Sequence, residues 1–341
     1  MTAMPLKAAR RTDALAEDTE VVLIRQTGEP EVLSVERSRL DRPGPGQVRL
    51  RQTAIGLNYV DTYYRTGLYK APLPSGIGFE AAGVVECLGE GVAGLRPGDR
   101  VVYAIASLGA YARLRNVPAE RLVKVPDNIT DHQAAAIALQ GMTAHYLLRR
   151  AYSVQPGDTI LVHAAAGGVG LILCQWAASL GATVIGTVGT EEKAELARAN
   201  GCTHTILYRS ENLVERVCDL TKGAKLRVVY DSVGRDTFVS SLDCLQPFGL
   251  LVSFGQSSGA IGPFETRILA EKGSLYLTRP TLWTYIARRE DLVASASELM
   301  AAVSRGIIKP RISQTLPLVE AAQAHRDLHS RKTVGKTLLI P

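Results

Sequence analysis

Between Glu20 and Pro126 apolar positions alternate with polar ones over short stretches, each closed by glycine or proline. VVLIR (21–25), GQVRLRQTAIG (46–56), EAAGVVECLG (80–89) and RVVYA (100–104) read as strands, and DRPGPG and LRPGD as turns between them. This half of the chain is predicted to be mainly β. At Thr130 the pattern changes. TDHQAAAIALQGMTAHYLLRRA offers Thr as an N-cap, an acid in the first turn, then Ala and Leu at helical spacing. From Thr159 onward strands and helices alternate: TILVHAA before GVGLILCQWAASLG, TVIGTV before EEKAELARANG, HTILY before NLVERVCDLTKG, LRVVYDSV before RDTFVSSLDCL, LLVSFG before ETRILAEKG, and SLYLT last. Short apolar strands joined by helices predict a parallel sheet covered on both faces, an α/β, doubly wound Rossmann domain of six strands over 141–283. A helix through LVASASELMAAVSRG follows. The apolar terminal TLLIP is predicted to return to the β-rich part, which makes that domain discontinuous, 20–140 with 284–341.

The first nineteen residues mix Lys7, Arg10 and Arg11 with Asp13, Glu17 and Asp18 and lack an apolar core. They are expected to be a disordered tail, neither a secretory signal nor a transit peptide. A length of 341 residues exceeds what one core usually organises, and 46% apolar residues supply enough for two domains. The net charge of +6 is spread along the chain and only 6% of residues are aromatic, which argues against nucleic acid as the main partner and allows an anionic small ligand. No uncharged apolar run is long enough to cross a bilayer, so no membrane role is expected. Five cysteines (Cys87, Cys174, Cys202, Cys218, Cys244) stand far apart without a CxxC pair, as reduced thiols in the cytoplasm would.

Ligands of an open parallel sheet bind beyond the carboxyl ends of its strands, and three predicted strand ends here, AAAGGVG, DSVG and SFGQSSG, are small and glycine-rich. Ala165 to Gly170 fits GxGxxG with Ala for the first glycine. Gly167 lets backbone approach a pyrophosphate, Gly170 lets helix and strand pack closely, and the helix start offers free N–H groups to the anion. NAD-binding relatives of this fold place a carboxylate on the ribose 2′-OH about twenty residues on. TVIGTV instead runs out into Gly189 and Thr190, and Glu191 and Glu192 open the next helix, where its dipole already favours acids. Lys193 and Tyr208 supply a counter-charge and a hydroxyl donor, so this strand tip predicts a 2′-phosphate site and NADPH. The plainer alternative for Lys193 is an ordinary first-turn lysine.

Competing motifs fall short. Gly255-Gln256-Ser257-Ser258-Gly259 matches the GxSxG elbow of serine hydrolases, but the elbow needs a helix directly after the serine and SGAIGPFE prevents one. None of the twelve tyrosines has Lys four residues later, so the YxxxK reductase signature is absent. His325 and His329 have Arg326 where HExxH has Glu, and are expected on a solvated helix face.

The stretches GLNYVDTYYRTGLY, LPSGIGFEAAGVV, HAAAGGVGLILCQWAASLGA, VVYDSVGRDT and VSFGQSSG resemble the zinc-free quinone oxidoreductases of the medium-chain dehydrogenase/reductase superfamily, a likeness running from about residue 20 to 341. The resemblance implies a GroES-like substrate domain beside the Rossmann domain, NADPH in the cleft between them, and quinone reduction by hydride transfer without a metal. An alkenal or enone reductase of the same fold, or a non-catalytic NADPH binder, are the alternatives. It further implies that Asn58 and Tyr63 are catalytic, although Tyr63 could instead be a packing tyrosine. It implies a cofactor site of Tyr59, Val60, Asp61, Thr62, Thr143, Gly167, Gly168, Val169, Ser232, Val233, Phe254, Gly255, Gln256 and Ser257, with Arg331 reaching the phosphates. Metal-dependent members carry a ligand His in Gly-His-Glu and a Cys on the loop before it. Here Gly78-Phe79-Glu80 and Asn58 stand at those places and the four-cysteine zinc lobe is missing, so the usual ligand set cannot form. GSLYLTRP reads as an apolar edge strand of the kind that relatives pair across a two-fold axis, which implies a homodimer.

Overall fold

The computed structural model describes residues 16–330 and 333–341. The chain enters as β1 (Glu17–Ile24), antiparallel to β2 (Leu33–Leu40) along its whole length. Glu17, Asp18 and Thr19, expected in the tail, are therefore already strand. The reason is tertiary: β2 supplies the ladder, the Arg49 guanidinium pairs with Glu17 at 3.4 Å, and the Thr19 hydroxyl accepts a hydrogen bond from the Leu114 amide. Next come β3 (Gln47–Gly56), the helix α1 (Tyr59–Thr66), β4 (Ser75–Gly76), β5 (Glu80–Leu88), β6 (Arg100–Ala104), β7 (Leu114–Pro118) and β8 (Val123–Lys124). α1 breaks the predicted β texture. It starts where the Asp61 carboxylate accepts the Asn58 amide and stops at Gly67, whose φ of +83° suits a residue without a side chain.

The long helix α2 (Asp131–Tyr146) begins at the predicted cap, with Thr130 and Gln133 bonded reciprocally, and passes into one wide turn over Leu147–Ala151. Its faces are apolar nearly all round because it lies on β3, β5 and β6 on one side and packs against the Rossmann helices on the other. The doubly wound unit then runs β9 (Thr159–Val162), α3 (Gly168–Ser179), β10 (Thr183–Val188), α4 (Glu191–Ala199), β11 (His204–Leu207), α5 (Leu213–Leu220), β12 (Leu226–Asp231), α6 (Phe238–Asp243), β13 (Leu245–Ser253), α7 (Arg267–Glu271) and β14 (Tyr276–Thr278). All neighbours are parallel in the order β11-β10-β9-β12-β13-β14, so strand order reverses between β9 and β12 and opens a crevice at their carboxyl ends.

The chain closes with α8 (Leu282–Tyr285), α9 (Arg289–Ser304), β15 (Ile312–Pro317), α10 (Ala321–His329) and β16 (Lys336–Ile340). β16 holds TLLIP and does return: it pairs antiparallel with β3, Leu338 opposite Gly56, within a sheet ordered β15-β16-β3-β5-β6-β8 with β7 also on β3. The expectation of a solvated histidine face on α10 is corrected for His325. Ala321, Ala324, His325 and Leu328 form the stripe that α10 packs inward, so His325 is fully buried with Nε2 3.1 Å from the Tyr111 hydroxyl. Desolvation pushes its imidazole down to about 3, which keeps it neutral. His329 is exposed, as expected, with its ring beside the Arg65 guanidinium.

Candidate active site

The crevice floor is made of strand ends whose spacing depends on missing side chains. α3 starts at Gly168, and a Cβ there would strike the Gln140 side chain of α2. A Cβ on Gly170 would lie 2.8 Å from the Ala165 carbonyl oxygen, so glycine sets the helix–strand distance. Gly167 also makes a parallel bridge to Gly335, joining the glycine loop to the segment that leads into β16. Beneath the loop, His163 bonds Thr187 (3.0 Å) and Ser241 (2.9 Å), and the Ser241 and Thr237 hydroxyls donate to Asp231. Burial lowers the His163 imidazole, so this network is held by a neutral ring. The other oxygen of Asp231 accepts the Val233 and Gly234 amides and so shapes the turn at Ser232 and Val233. Phe254 and Gly255 donate backbone bonds to Asp231, and Ser257 to Ser232, so the two turns predicted from sequence lie side by side.

At the tip of β10 Thr190 caps α4, accepting the Lys193 amide at 3.4 Å, and a Cβ on Gly189 would come within 2.9 Å of the Tyr208 hydroxyl. Gly189, Thr190, Lys193 and Tyr208 are thus gathered at one corner, with Tyr208 exposed. Glu191 points along α4 to Arg198, and Glu192 is held below the usual carboxylate range by the Thr190 hydroxyl at the helix start. The cradle fits a phosphorylated dinucleotide: glycine where backbone must approach phosphate, and lysine and tyrosine where a carboxylate would repel a 2′-phosphate.

Opposite this floor stands α1. The Tyr63 hydroxyl accepts the Gln256 amide at 3.0 Å, and the Tyr59 hydroxyl donates to the Ser257 carbonyl at 3.5 Å, so α1 reaches across to the turn after β13. Tyr69 packs 5.2 Å from the Tyr63 ring, and the Arg279 guanidinium donates to the Ser253 carbonyl and the Tyr69 hydroxyl. Burial pushes the Tyr63 phenol up, so it stays a neutral hydrogen-bonding group.

A helix cannot turn consecutive residues to one side, and residues 58 to 63 divide between two faces. Tyr59 and Tyr63, four apart, share the cleft face. Asn58, Asp61 and Thr62 are 3%, 0% and 2% exposed and face the domain interior. The Asn58 amide donates to Glu80 (2.8 Å) and to the Gly56 carbonyl (3.2 Å) while its oxygen accepts from Lys336 (2.8 Å). Asp61 accepts the Asn58 amide and the Tyr111 hydroxyl, both at 2.9 Å, and burial raises its carboxyl to about 7. The Thr62 hydroxyl donates to the Tyr59 carbonyl. Val60 is half-buried against the core, and Thr143 sits nearly buried within α2. Arg331 lies outside the described residues.

The donor set does not fit zinc. Phe79 has no ligating atom and is packed between Tyr64 (5.2 Å) and Trp283 (4.9 Å), and the Asn58 oxygen already accepts from an ammonium. Among the described residues no group of three His, Cys, Asp or Glu could hold a metal ion. Sequence reasoning missed the partnership of Glu80 with Lys336, together with Gln140, Tyr69 and Arg279. For Lys336 a signal existed: a lysine heading an apolar strand is buried only when it has a partner.

Comparison with known proteins agrees with this geometry. The family model described as zinc-binding dehydrogenase matches residues 168–298, and that of the alcohol dehydrogenase GroES-like domain matches residues 44–127. The chain is 53% identical over 315 residues to a quinone oxidoreductase of Pseudomonas aeruginosa, covering 92% of this chain and 97% of that one. The solved structure of Escherichia coli quinone oxidoreductase complexed with NADPH superposes with a TM-score of 0.93 at 50% identity, covering 94% of this chain and 100% of that one. A 2-haloacrylate reductase of a Burkholderia species is 46% identical over 327 residues, 94% of this chain and 98% of that one.

Proposed function

The chain belongs to the quinone oxidoreductases of the medium-chain dehydrogenase/reductase superfamily, and from that premise we propose that it reduces quinones with NADPH, by hydride transfer and without a metal ion. The observation that carries the reading is the pairing within one crevice of a carboxylate-free corner (Gly189, Thr190, Lys193, Tyr208) with the tyrosines of α1. When bound, NADPH supplies the hydride. Everything else falls to the chain. The glycine loop and the α3 start hold the pyrophosphate, Lys193 and Tyr208 hold the 2′-phosphate, and Arg331 adds charge to the phosphates. The Ser232–Val233 and Phe254–Ser257 turns seat the nicotinamide half. Tyr63 presents a neutral hydroxyl to the substrate carbonyl, and Tyr59 and Tyr69 give a flat ring an aromatic wall and exclude water.

The test is steady NADPH oxidation with 1,4-benzoquinone after exhaustive chelation. Undiminished turnover supports the reading; loss that zinc restores overturns metal independence, and binding without turnover makes the chain an NADPH binder. The 2-haloacrylate reductase relative supports a second substrate class, activated alkenes conjugated to a carbonyl, and 2-chloroacrylate in the same assay reads it.

The domain limits belong to the same proposal: a GroES-like domain at 20–140 and 284–341, and an NADPH domain at 141–283 that contains β9 to β14. β14 ends its sheet with Tyr276 61% exposed near Phe248 at 70%, which supports a homodimer joined along that edge. Four of five thiols are free and buried and no helix among the described residues is long and apolar enough to cross a membrane, which supports a cytoplasmic place of work.

A further inference from the structure

Lys336 and Glu80 form an ion pair of 2.5 Å with 2% and 0% of their side chains exposed. Nothing about its place is casual. The Lys336 ammonium also donates to Asn58, the residue at which α1 starts. The second Glu80 oxygen accepts the Leu139 amide of α2, next to Gln140, which packs over Gly168 of the glycine loop. The backbone beside Lys336 makes two further ties: Gly335 bridges Gly167, and the Thr337 carbonyl accepts the Leu57 amide just before α1. The space is closed as well, since a Cβ on Gly56 would collide with the Glu80 carboxylate and with the Ala135 carbonyl oxygen. One cation therefore stands where the start of α1, the middle of α2 and the glycine loop converge.

We propose that Lys336 is a positioning residue for the reduction: through Glu80 and Asn58 it fixes the start of α1, and so the placement of Tyr59 and Tyr63 against the nicotinamide end of the crevice. This rests on the quinone-reductase reading above. A buried pair of this kind is a poor source of net stability, because desolvation of both charges offsets most of their attraction. What it does supply is direction, since carboxylate, amide and ammonium satisfy one another in a single arrangement. Reacting atoms held within contact distance are sensitive to small shifts of their support.

The test compares wild type, Lys336→Met and Lys336→Met/Glu80→Gln. Lys336→Met keeps much of the volume and strands a buried carboxylate, which is also faced by Asp61, Tyr103 and Tyr111. The double variant removes both charges. With 1,4-benzoquinone, kcat of the single variant should fall about tenfold to a hundredfold, as a misplaced reacting pair requires. Its Kd for NADPH should stay close to that of the wild type, since the phosphate corner is untouched. Hydrogen exchange of the α1 amides in cofactor-free protein should quicken by about tenfold or more, reporting local opening. The double variant, relieved of the stranded charge but still without the ammonium, should regain stability while kcat and α1 protection stay low. If the single variant melts lower but keeps kcat and α1 protection below its melting temperature, Lys336 is structural only and the proposal is overturned. Recovery of kcat and α1 protection in the double variant would assign the defect to the stranded carboxylate and overturns the proposal equally. A wild type that never oxidises NADPH instead refutes the quinone-reductase reading, while the exchange experiment still reports on α1.

Discussion

The two walls of the crevice are built by opposite means. The Rossmann wall is made of backbone: glycine-rich turns at the ends of β9, β10, β12 and β13, held from below by His163, by the hydroxyls of Thr187, Thr237 and Ser241, and by the Asp231 carboxylate to which two of those hydroxyls donate. The wall under α1 is made of buried ionisable groups: Glu80 against Lys336, Asp61 against Tyr111, whose hydroxyl also meets the neutral His325, and Arg65 bonded to the Gly28 carbonyl. A phosphate-binding surface must come close to its ligand, which favours bare backbone and partial charges at a helix start. A wall that only presents two tyrosines needs a rigid base, and interlocked charges give one arrangement. The lesson is that the Rossmann wall is shaped by backbone around one buried carboxylate, Asp231, whereas the wall under α1 rests on a buried ion pair.

This contrast can be broken at its strongest point first. Glu80→Ala leaves the Lys336 ammonium buried without its carboxylate, and loss of one partner of such a pair costs about 3–5 kcal/mol. Urea unfolding should show that loss. A change under 1 kcal/mol would mean that water already reaches the pair.

Asp61 gives the next effect, read through pH. Burial raises its carboxyl from 3.8 to about 7 in the fold. Between those values the unfolded chain has released the proton that the fold still holds, so stability falls as pH rises through the window and levels off above it. The fall amounts to a few kcal/mol in total. Asp61→Asn should remove that slope, and unfolding curves at pH 5 and pH 8 compare the two proteins. Parallel behaviour would place the titration elsewhere.

On the Rossmann wall the effects are smaller and fall on binding. A hydrogen bond to a charged group is worth about 1.5–3 kcal/mol, so Lys193→Ala should weaken NADPH roughly ten- to two-hundred-fold and leave NADH almost unchanged. Calorimetric titration with both cofactors decides it, and equal losses would move the 2′-phosphate away from this corner. Tyr208→Phe removes a neutral donor worth about 0.5–1.5 kcal/mol, hence a weakening of roughly two- to tenfold for NADPH alone. A change outside that range, or one shared by NADH, would separate Tyr208 from Lys193.

The same contrast explains what could be read before the fold was known. GxGxxG, the carboxylate-free strand tip and the small turns DSVG and SFGQSSG lie in contiguous stretches, because a backbone-made site is written in the residues that form it. α1 was read less well. YVDTYYRT lies in a region of strong β texture, and its helix depends on an Asp61 cap that itself rests on Tyr111. Asn58 to Tyr63 read as one segment in the sequence but divide between two faces in the fold, because helical neighbours diverge by about 100°. His325 was misplaced because one helix of nine residues shows no face of its own until a sheet is laid against it.

By itself the sequence determined the two-part architecture, the parallel sheet and its order of helices, the glycine loop and the absence of a carboxylate at the tip of β10. These are local in origin: period, capping and the absence of side chains act over a few residues. Only the tertiary structure decided that Glu80 and Lys336, which lie 256 positions apart, share one buried bond, and that Asn58 is bonded to both. Buried charge must be neutralised by whichever group the fold brings within reach, and along the chain that group can be anywhere.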